Sequence, residues 1–219
     1  MKACFRIMVV LAAAILSAAP ALADNYAIGD PITYSLSNSV GTPFGSGGLF
    51  TITDTNGGPS INTFCIELNE HIIVTGDTVG SILNYAVQGG RTGGPNDPIS
   101  IATDWLYAQF MAGNSLYSNK RALQMAFWIL EGETINPNTS QDEAGTWWGS
   151  DPDYGTAQKY VEDANKVTTG TYGTQVLNLL DPSGDNAQSH LIHVPEPGIL
   201  ILLGISMASI VGVKRWWKD

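Results

Sequence analysis

Apolar and polar residues alternate with period two along Ile32-Thr33-Tyr34-Ser35-Leu36 and again along Leu49-Phe50-Thr51-Ile52-Thr53. That is the periodicity of a strand with one buried face. Clusters of Gly, Ser, Asn and Pro separate these segments and predict turns. The clearest strand is predicted over residues 63–73, with Phe64, Ile66 and Leu68 on one face. Cys65, Glu67, Asn69 and His71 fall on the other. Between residues 99 and 166 the spacing changes to three and four, the mark of helices. Thr103 can cap a helix over 104–112, and Ser118 or Asn119 a second running to about Glu131. The apolar stripe of the second is Ala122, Met125, Ala126, Ile129 and Leu130. Residues 133–155 read as a polar, Trp-containing loop, and 154–167 as a third helix. Period two returns at 176–180 and 190–194, around a turn at Asp181-Pro182-Ser183-Gly184. The glycine-rich segment 89–98 reads as a loop. No Lys-Ser or Lys-Thr follows Gly89-Gly90, so it is not a phosphate cradle. Strands flanking a helical block predict an α+β domain, a β-sandwich or barrel-like sheet with an inserted helical block.

The two ends follow other patterns. Lys2 and Arg6 precede an apolar run over 7–16, and Ala21-Leu22-Ala23 is a small-residue cleavage pattern. Residues 1–23 therefore read as a secretory signal helix cut after Ala23, the work of a signal peptidase. At the other end, Val194-Pro195-Glu196-Pro197 leads into an uncharged stretch, 198–213, and then a basic tail, 214–219. Sixteen residues span roughly 24 Å at 1.5 Å each, short of a hydrocarbon core about 30 Å thick. Trp216, Trp217 and the flanking Lys and Arg orient this expected transmembrane helix with its end in the cytoplasm.

The order Val-Pro-Glu-Pro, short apolar helix, basic end resembles the PEP-CTERM sorting signal of Gram-negative bacteria. The resemblance covers residues 194–219. It implies an inner-membrane anchor, processing near Pro195–Pro197 by the transpeptidase exosortase, and display at, or release from, the cell surface. It is silent on what the exported part does.

That part is residues 24–193, enough for one domain. The whole chain of 219 residues carries a net charge of −10. The exported part holds eighteen acidic and five basic residues, a net −13. Such a balance argues against binding nucleic acid, which needs clustered Lys and Arg. It suits solubility outside the cell. Calcium is a secondary alternative, because no Asp-x-Asp-x-Asp-Gly loop occurs. No metal or other cofactor is expected.

Cys4 leaves with the signal, so Cys65 is the one cysteine of the exported part. An intramolecular disulfide is thereby excluded. Three readings remain: an inert buried thiol, a catalytic thiolate, or a sulfur consumed in another bond. A Cys-dependent hydrolase needs a histidine within reach. His71 is six positions along the same predicted strand, roughly 20 Å away. His190 and His193 sit beside the sorting tail, where a linker is the simpler reading.

Thr63-Phe64-Cys65-Ile66 on a strand and Leu123-Gln124-Met125-Ala126-Phe127-Trp128 on a helix resemble the two motifs of thioester domains in bacterial surface adhesins. Those motifs are aromatic-Cys-aliphatic and Gln-x-Ala-aliphatic-Trp. Leu123 stands where Thr is frequent and Phe127 where an aliphatic residue is usual; neither alters the reacting atoms. The resemblance implies a bond between the Cys65 sulfur and the Gln124 side-chain carbonyl, formed with loss of ammonia. It assigns Phe64 and Trp128 to shielding. Gln124 and Trp128, four apart, share a helix face. Such a crosslink closes a loop of 59 positions, worth roughly 4 kcal/mol on the chain-entropy model. Taken alone, Gln124 reads as a solvated polar residue, Trp128 as core, and Glu67, Asn69, Glu131 and Glu133 as solvated groups.

The expectation is thus a non-enzymatic surface protein that attaches covalently to amines or hydroxyls, on an exopolysaccharide or another cell. Its rivals are a passive matrix protein without the bond, and the hydrolase.

Overall fold

The computed structural model describes residues 26–194, apart from 59, 71–75 and 92. The signal segment, with Ala21 and Ala23, lies outside the described residues. So do His71, Pro195, Glu196, Pro197 and the expected membrane helix 198–213. Among the described residues no helix is long and apolar enough to cross a membrane.

The architecture is mixed α+β. Strand β1 (Ile32–Thr42) turns back into β2 (Gly45–Asp54), and β3 (Ser60–Thr63) adds to the far side of β2. Tyr34 pairs with Ile52, and Phe50 with Thr63. A bulge between Ser37 and Val40 is built on Asn38, whose φ of 51° is a left-handed value that asparagine tolerates better than most. A second sheet has the order β10-β9-β4, from β4 (Thr78–Leu83), β9 (Thr174–Leu180) and β10 (His190–His193). Both sheets are antiparallel. They meet at single bridges, Cys65 with His190 and Pro31 with Thr78. The expected barrel-like sheet is therefore corrected: the described residues form several small antiparallel sheets, and among them no barrel closes. β3 is only four residues long, so the ladder breaks where closure would need it.

The segment predicted as one strand over 63–73 is also shorter. β3 ends at Thr63, and residues beyond it touch β10 through the Cys65 bridge. Both faces are covered, because Phe64, Ile66 and Leu68 are buried, and so are Cys65 and Glu67. Alternation of this kind cannot distinguish one buried face from two.

The helical block lies between the β segments. Helix α1 (Ile101–Met111) is capped by Ser100 rather than Thr103, the Ser100 hydroxyl oxygen accepting from Thr103 N–H. Thr103 is itself buried in the first turn. Asn119 caps α2 (Lys120–Leu130), accepting from Ala122 N–H at 3.2 Å. Residues 122 to 128 of α2 are all buried, so the helix is wrapped on every side. It packs on the β1–β2 hairpin and on α4 (Tyr154–Ala164). Arg121 ties the block together: it pairs with Asp151 and Asp153, and donates to the Ser39 carbonyl in the β1 bulge. The predicted loop over 133–155 instead holds a small hairpin, β7 (Ile135–Asn136) with β8 (Gln141–Asp142), and a short helix α3 (Ala144–Trp148). Of the glycine-rich segment 89–98 predicted as a loop, the last four residues are instead a strand, β6 (Pro95–Pro98), paired with β5 (Tyr85–Gln88).

Candidate functional site

Cys65 and Gln124 come together where the β1–β2 hairpin, the end of β3 and the middle of α2 converge. The Cys65 thiol donates to Gln124 Oε1 at 3.5 Å. The Gln124 amide nitrogen donates to the Cys65 backbone carbonyl at 2.8 Å. Gly48 N–H donates to the same Oε1 at 3.1 Å. Gln124 is 0% exposed, so the expectation of a solvated residue is corrected. Buried amides need partners, and here both ends of the side chain have them.

Trp128, one turn beyond Gln124, is 2% exposed and lies beside the sulfur. Gly47 shows how tight the cover is. A Cβ there would lie 2.5 Å from the Trp128 ring and 2.9 Å from Cys65 Sγ. A glycine in a strand interior marks such a close approach. The Trp128 indole N–H is near enough to the sulfur to favour the thiolate slightly, yet forms no hydrogen bond. Phe64, the other predicted shield, packs its ring on Phe110 and Phe127 at 5.2 and 5.1 Å between centroids.

Trp128 does not stand alone. It stacks on Trp148 at 5.7 Å with the planes 12° apart, and Trp148 Nε1 donates to the Gly41 carbonyl. Trp147 meets both Trp148 and the half-exposed Phe44 at the hairpin tip, edge to face. The Arg91 guanidinium lies 4.9 Å from the centroids of Phe44 and Trp147 and pairs with Glu143 at 2.7 Å. The cover over the sulfur is thus the inner end of an aromatic row that reaches the surface.

Burial pushes the Cys65 thiol well above its usual range, and the nearby Glu70 and Glu67 carboxyls push it further. Loss of solvent disfavours the charged form, so the group is held as thiol. Glu67 is buried rather than solvated, at 2% exposure, and burial with the neighbouring Glu133 raises it to about 9. Glu133 is also buried, not solvated, and accepts from the backbone N–H groups of Leu68 and Arg91. Oxygens of Glu67 and Glu133 crowd the bare Cα of Gly90. Burial raises Glu70 to about 7. Glu131 accepts from the Ser100 hydroxyl and N–H. Asn69 is exposed, as expected.

The linker reading of His190 and His193 is corrected. Both lie in β10, and His190, fully buried, is the cross-strand partner of Cys65. Directly opposed residues of an antiparallel pair share a face. Yet neither ring nitrogen of His190 has a hydrogen-bond partner, and burial lowers it to about 3. It is a neutral ring packed edge to face on Phe50 at 4.9 Å. Among the described residues no three His, Cys, Asp or Glu are grouped to hold a metal ion.

Comparison with family models, with curated proteins and with solved structures returned no match. Sequence reasoning missed Gly47, Gly48, Trp148 and His190. The run Gly45-Ser46-Gly47-Gly48 inside an alternating segment was the available signal for the first two.

Proposed function

We propose that this protein is an exported, exosortase-sorted surface protein that anchors itself to a partner through an internal Cys65–Gln124 thioester. The observation that carries the reading is the buried approach of the Cys65 sulfur to the Gln124 carbonyl oxygen, 3.5 Å apart. The sulfur replaces the amide nitrogen, and ammonia leaves with the thiol proton. A thioester is an activated acyl group, so it must be kept from water until a nucleophile arrives; Trp128 and Gly47 supply that cover. An amine or hydroxyl on an exopolysaccharide or another cell then takes the acyl group and releases the Cys65 thiol. Proximity within the fold replaces an external activating enzyme. Each molecule reacts once, which makes it an adhesin and not a catalyst.

Export rests on residues 1–23, and sorting on Val194-Pro195-Glu196-Pro197 with the apolar and basic segments after it. In this reading the chain is held at the inner membrane of a Gram-negative cell and is then passed to the surface.

One observation favours the rival, a passive matrix protein. The Gln124 amide is hydrogen-bonded at both ends, as a structural core amide would be. Treatment of the purified protein with methylamine separates the two. The thioester reading expects one methylamine on Gln124 and one newly titratable thiol at Cys65. A thiol that titrates on unfolding before any treatment, with no methylamine taken up, supports the passive protein.

A further inference from the structure

Among the described residues Gly48 N–H is the one backbone donor on the Gln124 side-chain oxygen, at 3.1 Å and fully buried. That oxygen is where charge develops when a nucleophile adds to the adjacent carbon. We propose that Gly48 supplies the oxyanion donor for making and opening the Cys65–Gln124 bond, and that the hairpin tip is therefore a catalytic element and not only a cover. This rests on the thioester reading above.

In the forward step the Cys65 sulfur adds to Gln124 Cδ, and the carbonyl electron pair moves onto Oε1. The pair then returns, the C–N bond breaks, and the nitrogen leaves as ammonia with the thiol proton. In the second step an amine adds to the same carbon and the C–S bond breaks. Cys65 leaves as a thiol, carrying the proton from the amine. Oε1 bears the charge both times, and the Gly48 dipole is aimed at it before either begins. A donor already in place needs no reorganisation at the moment of reaction. The Gln124 amide nitrogen, held by the Cys65 carbonyl at 2.8 Å, fixes which end of the side chain faces Gly48.

The sequence around the donor fits this role. A Cβ on Gly48 would come within 2.7 Å of the Ser37 carbonyl oxygen and 2.8 Å of that of Asn38. Only a residue without a side chain lets β2 sit close enough to β1 for its N–H to reach Gln124. Gly47 beside it is bare for a different reason, the contact with Trp128 and the sulfur.

The test compares wild type, Gly48→Ala and Gly155→Ala by intact mass during exposure to methylamine. Gly155 lies in α4, away from the site, and a Cβ there meets nothing within 4 Å, so that variant reacts as wild type does. Gly48→Ala shifts the donor and slows bond formation or opening roughly 100-fold, the usual loss for one oxyanion donor. Gly48→Ala reacting at the wild-type rate overturns the proposal alone. A wild type that has lost no ammonia overturns it together with the thioester. Should Gly48→Ala fail to fold, the infrared carbonyl stretch of wild type labelled with ¹³C-glutamine decides. A band below that of a free alkyl thioester is expected; a band at the same frequency overturns the proposal.

Discussion

The sulfur of Cys65 lies 3.5 Å from the side-chain oxygen of Gln124, two residues 59 positions apart in the chain. Both are buried. Cys65 is fixed by its bridge to β10 and Gln124 by the buried middle of α2. The arrangement brings together a thiol and an amide that could react with each other and need no third reagent.

Gln124 holds two backbone groups as well as the sulfur. In Cys65→Ala, where the bond cannot form, the further change Gln124→Ala leaves Gly48 N–H and the backbone carbonyl of residue 65 buried without that partner. At about 1–3 kcal/mol for each such group, the double variant loses roughly 3 kcal/mol relative to Cys65→Ala in chemical denaturation. A loss below about 1 kcal/mol would show that water enters and that the site is not dry.

Gly47 sets the fit of the cover. In Gly47→Ala the new methyl group meets the Trp128 ring and the sulfur, and overpacking costs about 1–3 kcal/mol. Trp128 must tilt away, so the sulfur becomes wetter. Tryptophan emission shifts to longer wavelength, and the variant hydrolyses faster than wild type. Unchanged emission and hydrolysis would mean that Trp128 is not the barrier.

Stability falls as pH rises above neutrality. Glu67 has a folded pKa of about 9, against an ordinary 4.5. The folded state then binds more protons than the unfolded one between these values. Its contribution is complete below the unfolded pKa and is lost as pH climbs toward the folded one. Glu70, raised to about 7, behaves alike over a narrower window. His190, lowered to about 3, acts in the opposite sense, since its stabilisation is lost as pH falls below 6.5. Above about pH 7 Glu67 contributes most, at up to about 1.4 kcal/mol per unit, with a smaller share from Glu70. Thermal melts between about pH 7 and pH 9 should fall steadily, and Glu67→Gln should flatten them. Equal slopes in the two proteins would remove Glu67 from the account.

Arg91 joins the aromatic row at its outer end. Arg91→Ala loses contacts with Phe44 and Trp147 and the pair with Glu143. At cation–π values of about 0.5–1 kcal/mol each, roughly 1–2 kcal/mol is lost. The backbone donation to Glu133 remains. Hydrolysis of the bond should rise less than in Gly47→Ala, because Trp148 still stacks on Trp128.

Local signals in the sequence located most elements, because alternation and capping are properties of neighbouring residues. Asn119 at the start of α2 and the alternation at 49–53 are examples. What depended on distant partners was not legible. Ser100 caps α1 because its hydroxyl also reaches Glu131 across the fold. Glu67 and Glu133 look like surface charges and are buried because backbone N–H groups and Gly90 close around Glu133 and its neighbour. His190 is 125 positions from Cys65, a pairing that only the strand register creates. The pairing of Cys65 with Gln124 came from resemblance to known motifs and not from periodicity, which treats Gln124 as one more polar residue on an amphipathic helix.

The central claim is that Cys65 and Gln124 react with each other. Intact mass of the purified protein under non-reducing, unfolding conditions tests it most directly. The account predicts a chain lighter by one ammonia than its processed sequence, with the deficit absent in Cys65→Ala and in Gln124→Ala. A chain of full mass whose Cys65 titrates freely once unfolded would contradict it.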